Sequence, residues 1–362
     1  MELTLLQTIK GIKPSSEVWR QKAIKHLNNL AIPRGSLGQL LGIAEQLASI
    51  KQTLTPSVSR KTVVTMAGDH GVVAEGVSAF PQEVTVQMVD NFVAGGAAIN
   101  VLTELAGVLV VDMRIAADMK DLVKDGKIIS RKVDYGTQNM SRGPAMTREQ
   151  AIQGLEGGIN LAGDLVRDGA EILATGDMGI GNTTPSSAIL AVFSGLPVQQ
   201  VTGRGTGIND VALKNKMRVI QQALDVNKPD AKDPVDVLAK VGGFEIAGIA
   251  GLILGAAYYK VPVVVDGFIS TAGALLAKEL APCCVDYMIA AHQSMEYGHQ
   301  FMLKELGLKP ILNLDLRLGE GTGAALAMTI VEASTRVISR ILTFENAGVS
   351  RDPLRDLAGV NE

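Results

Sequence analysis

Cysteine, aromatic side chains and blocks of one charge are all scarce in this chain of 362 residues. The two cysteines, Cys283 and Cys284, are neighbours. They offer neither a disulfide to a distant segment nor the spaced pairs of a zinc site, which fits a reducing compartment. Aromatics make up only 4% while glycine numbers 39, a composition that brings backbones together and lines loops. Net charge is −3 with no basic block, which excludes nucleic acid and anionic membrane as main partners. The start of the chain, Met1-Glu2-Leu3-Thr4-Leu5-Leu6, lacks the basic segment and long apolar core of a signal peptide. The most apolar stretch, Ile246 to Tyr259, is bounded by Glu245 and Lys260 and is too short to span a bilayer. A soluble, cytoplasmic protein is expected. No glycine run ends in Gly-Lys-Ser/Thr, and there is no Gly-x-Ser-x-Gly elbow, so neither a Walker loop nor a serine nucleophile is expected.

Hydrophobic residues reach 47%, enough for a sizeable core. The first sixty residues have helical spacing: Pro14-Ser15-Ser16-Glu17 offers a cap before Val18-Trp19, and Leu40, Leu41, Ile43, Ala44 and Leu47 recur on one face. From Lys61 short β-branched runs appear, each leading into glycine or a polar residue and then a helical segment. They are Thr62–Met66, Val108–Met113, Glu171–Ala174, Gln199–Val201, Val261–Val265, Tyr287–Ala290 and Leu312–Leu316. Apolar strands alternating with helices predict an α/β, Rossmann-like parallel sheet covered on both faces, with ligands at the carboxyl ends of the strands. Residues 61–329 would form the large catalytic domain. Residues 1–60 and 330–362 would pack together as a small helical domain.

Three glycine loops fall at expected strand ends. In Leu318-Gly319-Glu320-Gly321-Thr322-Gly323 a carboxylate stands among glycines before a helix of small residues. Such turns bring backbone N–H groups up to an anion, whereas a glutamate repels phosphate unless it faces another part of the ligand. A solvated turn residue is the competing reading. Thr175-Gly176-Asp177-Met178-Gly179-Ile180-Gly181-Asn182-Thr183-Thr184-Pro185 sets a second carboxylate beside amide and hydroxyl donors suited to a sugar or phosphate. Thr202-Gly203-Arg204-Gly205-Thr206-Gly207 precedes a helix carrying Lys214 and Lys216, either of which is a phosphate ligand or part of a solvated face. The match of Gly319-x-Gly321-x-x-Ala324 to a dinucleotide fingerprint is formal only, because no acidic strand end follows. His70, His292 and His299 are read as hydrogen-bonding residues rather than metal ligands, and no metal or other cofactor is expected. Together these parts suit group transfer at a sugar carbon, with an isolated carboxylate as base. A nicotinamide-dependent oxidoreductase and a non-catalytic nucleotide-binding protein stay open.

Several segments in one order give the chain a family likeness. They are Pro33-Arg34-Gly35-Ser36-Leu37-Gly38, the run Ala67-Gly68-Asp69-His70-Gly71 to Thr85, Gly176 to Pro185, Gly203 to Gly207, Gly242-Gly243-Phe244-Glu245, Asp266-Gly267-Phe268 and Gly319-Glu320-Gly321-Thr322-Gly323. The chain resembles the nicotinate-nucleotide:dimethylbenzimidazole phosphoribosyltransferases over nearly its whole length. The resemblance implies transfer of 5-phosphoribosyl from nicotinate mononucleotide to 5,6-dimethylbenzimidazole, giving α-ribazole 5′-phosphate and nicotinate, in building the lower ligand of cobalamin. It implies Glu320 as general base, with Asp177 and Lys216 on the mononucleotide side. Gly179, Asn182, Thr183, Asp266 and Ser294 would frame ribose and phosphate, helped by the loop glycines Gly205, Gly319 and Gly321. Ser78, Phe80 and Gln87 would form the pocket for the aromatic base. It further implies a homodimer that needs no metal. The chain departs from the family pattern at Asp177 (commonly glutamate), Arg114 (often glycine), Gln293 (more often arginine) and Tyr297 (more often proline). These bear on substrate contacts and leave Glu320 untouched.

Overall fold

The computed structural model describes residues 2–350 apart from 104–106 and 133, so the last part of the expected terminal domain, 351–362, lies outside the described residues. Among the described residues six strands form one sheet: β1 (Lys61–Gly68), β2 (Gly107–Arg114), β3 (Ile129–Ser130), β4 (Ile172–Met178), β5 (Val263–Val265) and β6 (Met288–Ala290). Every pairing is parallel and the order is β3-β2-β1-β4-β5-β6. This doubly wound order reverses between β1 and β4, and a crevice opens at their carboxyl ends.

Alternation along each strand divides the interior in two. Val64, Met66, Leu173, Val263, Val265 and Met288 face a core shared with helices Arg148–Arg167, Thr183–Ser194, Asp210–Asn227, Phe244–Tyr258 and Phe268–Leu280. Val63, Ala67, Ile172, Ala174, Val264 and Ile289 face the opposite core, closed by helices Gln39–Lys51, Val84–Ala94, Ala98–Leu102 and Thr322–Arg340. Period-two patterning on a two-sided sheet demands this split. The most apolar stretch is a buried helix, as expected, and its glycines set its depth. A methyl on Gly251 would sit 2.0 Å from the Leu155 carbonyl oxygen, and one on Gly158 would sit 2.1 Å from that of Gly248.

The terminal segments also meet. Ala23, Leu27 and Leu30 pack with Ala44, Ala48 and Ile338 in a small separate core, and Leu30 bridges Thr343. The first helix, Leu5–Gly11, lies elsewhere, with Leu5 in the first large core and its N–H bonded to Glu156 at 2.9 Å. No helix of the described residues is long and apolar enough to cross a membrane.

Two expected strands are something else. Gln199–Val201 belongs to a short helix, Val198–Val201, entered from Pro197, whose carbonyl accepts from Gln200 N at 2.8 Å. Val198 and Val201 are both buried at helical spacing, a period that three residues alone do not reveal. Leu312–Leu316 runs beside the segment after β6 but forms no strand. It has an isolated bridge, Leu312 to His292, and a bond from Met295 N to the Leu316 carbonyl, while Asp315 between them turns left-handed (φ 55°) and breaks the pleat. The two-residue β3 escaped notice in the sequence.

Candidate active site

A cavity of about 390 Å³ opens at the carboxyl ends of the central strands. Asp177 to Ile180, Asn182 and Thr183 form one wall, Phe80, Val84 and Met88 an apolar second, and Arg317 to Glu320 a third. Gly205, Ser294 and Glu296 also line it. A second cavity of about 570 Å³ adjoins it, and the two share Gly205, Glu296 and Arg317.

Glu320 is not a solvated turn residue. It is 4% exposed and holds φ 63° between Gly319 (84°) and Gly321 (95°), three left-handed residues in a row. A non-glycine residue there costs about 1–3 kcal/mol, so its surroundings must impose the conformation. They do so by anchoring the loop to two strands. Thr65 Oγ1 donates to the Glu320 carbonyl at 2.8 Å, and Glu320 N donates to the Asp177 carbonyl at 3.1 Å. A methyl on Gly176 would come within 2.4 Å of that same Glu320 carbonyl oxygen. The carboxylate reaches the cavity with Oε2 accepting from Ile99 N at 3.3 Å. Burial raises its pKa above the usual value, opposed by the Ile99 N–H.

Asp177 sits behind it. Its Oδ2 accepts from Asn182 Nδ2 at 2.9 Å, while Oδ1 is buried with no partner among the described residues. Burial, then Asp266, Glu245 and Glu320, raise its pKa well above the usual value, against the Asn182 hydrogen bond. Asp266 is raised to about 7 by burial, although backbone N–H groups oppose the shift. Two of these belong to the glycine loop and the following helix: Ala324 N donates to Oδ1 at 2.8 Å and Gly321 N to Oδ2 at 3.2 Å. The N–H groups at the N-terminus of Thr322–Arg340 are therefore taken by the protein's own carboxyl group.

Lys216 is fully buried, with Nζ donating to Thr183 Oγ1 at 2.6 Å, so the solvated-face reading fails for it. Lys214, two residues earlier, is exposed. Burial lowers Lys216 to about 8, partly offset by Glu296. His299 and His70 are hydrogen-bonded, whereas His292 Nδ1 is buried 3.7 Å from Asp266 Oδ1 with no hydrogen-bond partner among the described residues. His299 Nδ1 accepts from Ser294 N at 2.8 Å, which leaves the Nε2 proton for Thr271 Oγ1 at 2.9 Å. Burial lowers His299 to about 3 and His292 to about 4, so both are neutral near pH 7. His70 is buried 2.7 Å from Glu245. Burial works against its charge, but Glu245 and Asp69 together raise its pKa. Among the described residues no three His, Cys, Asp or Glu side chains converge as metal ligands.

Of the residues singled out in the sequence, Phe80, Asp177, Gly179, Asn182, Thr183, Gly205, Ser294, Gly319 and Glu320 line the first cavity. Lys216 reaches it through Thr183, and Asp266 stands behind the loop. Gly321 faces inward, where a methyl would sit 2.7 Å from Val63. Ser78 lies just outside, 3.4 Å from Thr206, and Gln87 is exposed on its helix. Its neighbours Val84 and Met88, four apart on one face, line the cavity instead. Sequence reasoning also passed over His292 as a cavity residue, along with Glu296 and Arg317. Glu296 carried a signal, a carboxylate in the run between two histidines. Of the departures, Tyr297 lines the second cavity. Arg114 is buried, with its guanidinium 3.8 Å over the Phe244 ring.

A doubly wound parallel sheet, glycine loops at its switch point and a buried carboxylate aimed into the crevice are the parts of a nucleotide-handling transferase. The family described as Phosphoribosyltransferase matches residues 12–349, and the chain belongs to it. The nicotinate-nucleotide–dimethylbenzimidazole phosphoribosyltransferase of Geobacter metallireducens is 56% identical over 96% of this chain and 99% of its own. That of Geobacter sulfurreducens is also 56% identical, over 96% and 99%. The crystal structure of CobT from Thermus thermophilus superposes with a TM-score of 0.88 at 44% identity, covering 92% of this chain and 100% of that one.

Proposed function

We propose that this phosphoribosyltransferase moves the 5-phosphoribosyl group of nicotinate mononucleotide to 5,6-dimethylbenzimidazole, the reaction its relatives' names describe. One nitrogen of the base attacks the anomeric carbon from the face opposite nicotinate. The glycosidic bond breaks, and its electron pair returns to the pyridine ring, which loses its positive charge. The proton on the base's other nitrogen passes to Glu320. The products are α-ribazole 5′-phosphate and nicotinate.

The observation that carries this reading is the Glu320 carboxylate, buried at the cavity wall with a raised pKa beside an apolar face of Phe80, Val84 and Met88. A carboxylate with a raised pKa is a stronger base than a solvated one, and the apolar residues of the same cavity suit a flat aromatic ring. In the same cavity, Asn182, Thr183, Gly205 and Ser294 offer donors for ribose and phosphate, with Lys216 as the charge behind Thr183. We further infer a cytoplasmic homodimer. Phe80 and Leu318, 51% and 58% exposed at the cavity rim, suit cover by a second copy.

The test is incubation of the protein with nicotinate mononucleotide and dimethylbenzimidazole while following free nicotinate. Release that depends on the base supports the reading, and no release overturns it. Oxidation of NADH instead would favour an oxidoreductase.

A further inference from the structure

Glu296 has no part in the functional reading so far, yet it stands between the two cavities. It is 7% exposed, and Oε2 is buried with no hydrogen-bond partner among the described residues. The Gly203 loop packs directly against that oxygen, where a methyl on Gly203 would lie 2.1 Å away. Its backbone is held on both sides: Glu296 N donates to Ser294 Oγ at 3.3 Å, and its carbonyl accepts from His299 N at 2.9 Å. These bonds fix the backbone at Glu296, a residue that lines both cavities and shares the first with Thr183, Gly205 and Ser294.

An ionised carboxylate only accepts hydrogen bonds, and a buried acceptor left unmade is costly. Its missing partner must be a donor. Lys216, whose charge Glu296 favours, donates to Thr183, and Arg317, which lines both cavities with Glu296, makes no ion pair with it among the described residues. A phosphate or a nicotinate carboxylate brings only acceptors and negative charge, and both are repelled. Within a mononucleotide the donors are the ribose hydroxyls.

Resting on the mononucleotide reading above, we propose that Glu296 accepts a hydrogen bond from a ribose hydroxyl of the phosphoribosyl donor and makes the enzyme select ribose over deoxyribose. The phosphate then lies toward Lys216, with Glu296 setting the rotation of the sugar about its anchored end.

The experiment compares nicotinate mononucleotide with its 2′-deoxy and 3′-deoxy analogues in the unmodified enzyme, Glu296→Gln and Glu296→Ala. The unmodified enzyme should lose about 10- to 100-fold in kcat/KM on one analogue, the range for a hydrogen bond to a charged group. Glu296→Ala should lose a similar factor on the natural donor and almost nothing further on that analogue. Glu296→Gln, which keeps the volume and one acceptor oxygen, should recover part of the discrimination. Equal rates on all three donors in the unmodified enzyme would overturn the proposal. So would an equal proportional fall on all three in the Gln variant, the mark of a purely structural role. Absence of nicotinate release by the unmodified enzyme would instead overturn the transferase reading itself.

Discussion

Replacing Glu320 with glutamine and with glycine separates what the residue does chemically from what its backbone costs. Glutamine keeps the shape and the acceptor for Ile99 N but takes no proton. With the chemistry assigned to Glu320, kcat/KM should fall about 10²- to 10⁴-fold, the contribution of a positioned general base. That corresponds to about 3–5 kcal/mol of transition-state stabilisation. Glycine removes the carboxylate too, but it also adopts φ 63° without strain. Relief of about 1–3 kcal/mol, less about 0.4–1 kcal/mol for the added freedom of the unfolded chain, leaves a net gain of about 1 kcal/mol. The glycine variant should therefore be as inactive as the glutamine variant and melt about 2 °C higher than the unmodified protein. The pH profile adds a third readout. Because burial raises the Glu320 pKa, activity should rise with pH along a limb above the ordinary carboxylate range. That limb should be absent in the glutamine variant. Nicotinate release and differential scanning calorimetry measure both effects on the same samples. Near-normal turnover in the glutamine variant, or a glycine variant less stable than its parent, would refute the reasoning.

Two further outcomes follow from buried charges. Lys216 is lowered to about 8, so its cation is complete below that pH and lost above it. The KM for the mononucleotide should climb as pH passes 8. Lys216→Ala should show the raised KM at every pH, with kcat little changed, and a flat KM in the parent would return the lysine to a packing role. His70 is raised above its ordinary value by Glu245 after burial is overcome, so the pair's stabilisation is complete below about pH 6.5 and fades as pH rises through the folded-state value. His70→Gln leaves Glu245 buried and unpaired and should cost about 3–5 kcal/mol in urea unfolding at pH 6. A gap between variant and parent that stays constant up to pH 9 would contradict the ion-pair account.

The sheet was legible because its strands are apolar on both faces and each leads into glycine or a polar residue. β1, β2, β4, β5 and β6 all lie where the β-branched runs place them. Gln199–Val201 misled because three residues are too few to show a period, and Pro197 decides the matter from outside the run. Leu312–Leu316 misled through its alternation, since nothing local announces that Asp315 turns left-handed. In the site, Asp177, Asn182, Thr183 and Glu320 were legible from their glycine loops at strand ends. The burial of Lys216 was not. An isolated lysine on an amphipathic helix reads the same whether its face meets solvent or Thr183, and only tertiary packing separates the two. The role of Asp266 was hidden similarly, because its partners Gly321 and Ala324 lie more than fifty positions away.

The clamp that Thr65 and Asp177 place on Glu320 also dictates when the site comes into being. The bond from Thr65 spans 255 positions of the chain, and β1 lies at the centre of a sheet whose other half is synthesised much later. Contacts of such separation close late, because their loop entropy is met before they return any stabilisation. A chain that has emerged only as far as β6 holds all six strands and the Asp177 loop, but not the residue proposed as the base. The reactive geometry thus waits on a segment made after all six strands, and a chain that stops at β6 has no Glu320 with which to turn over what it binds.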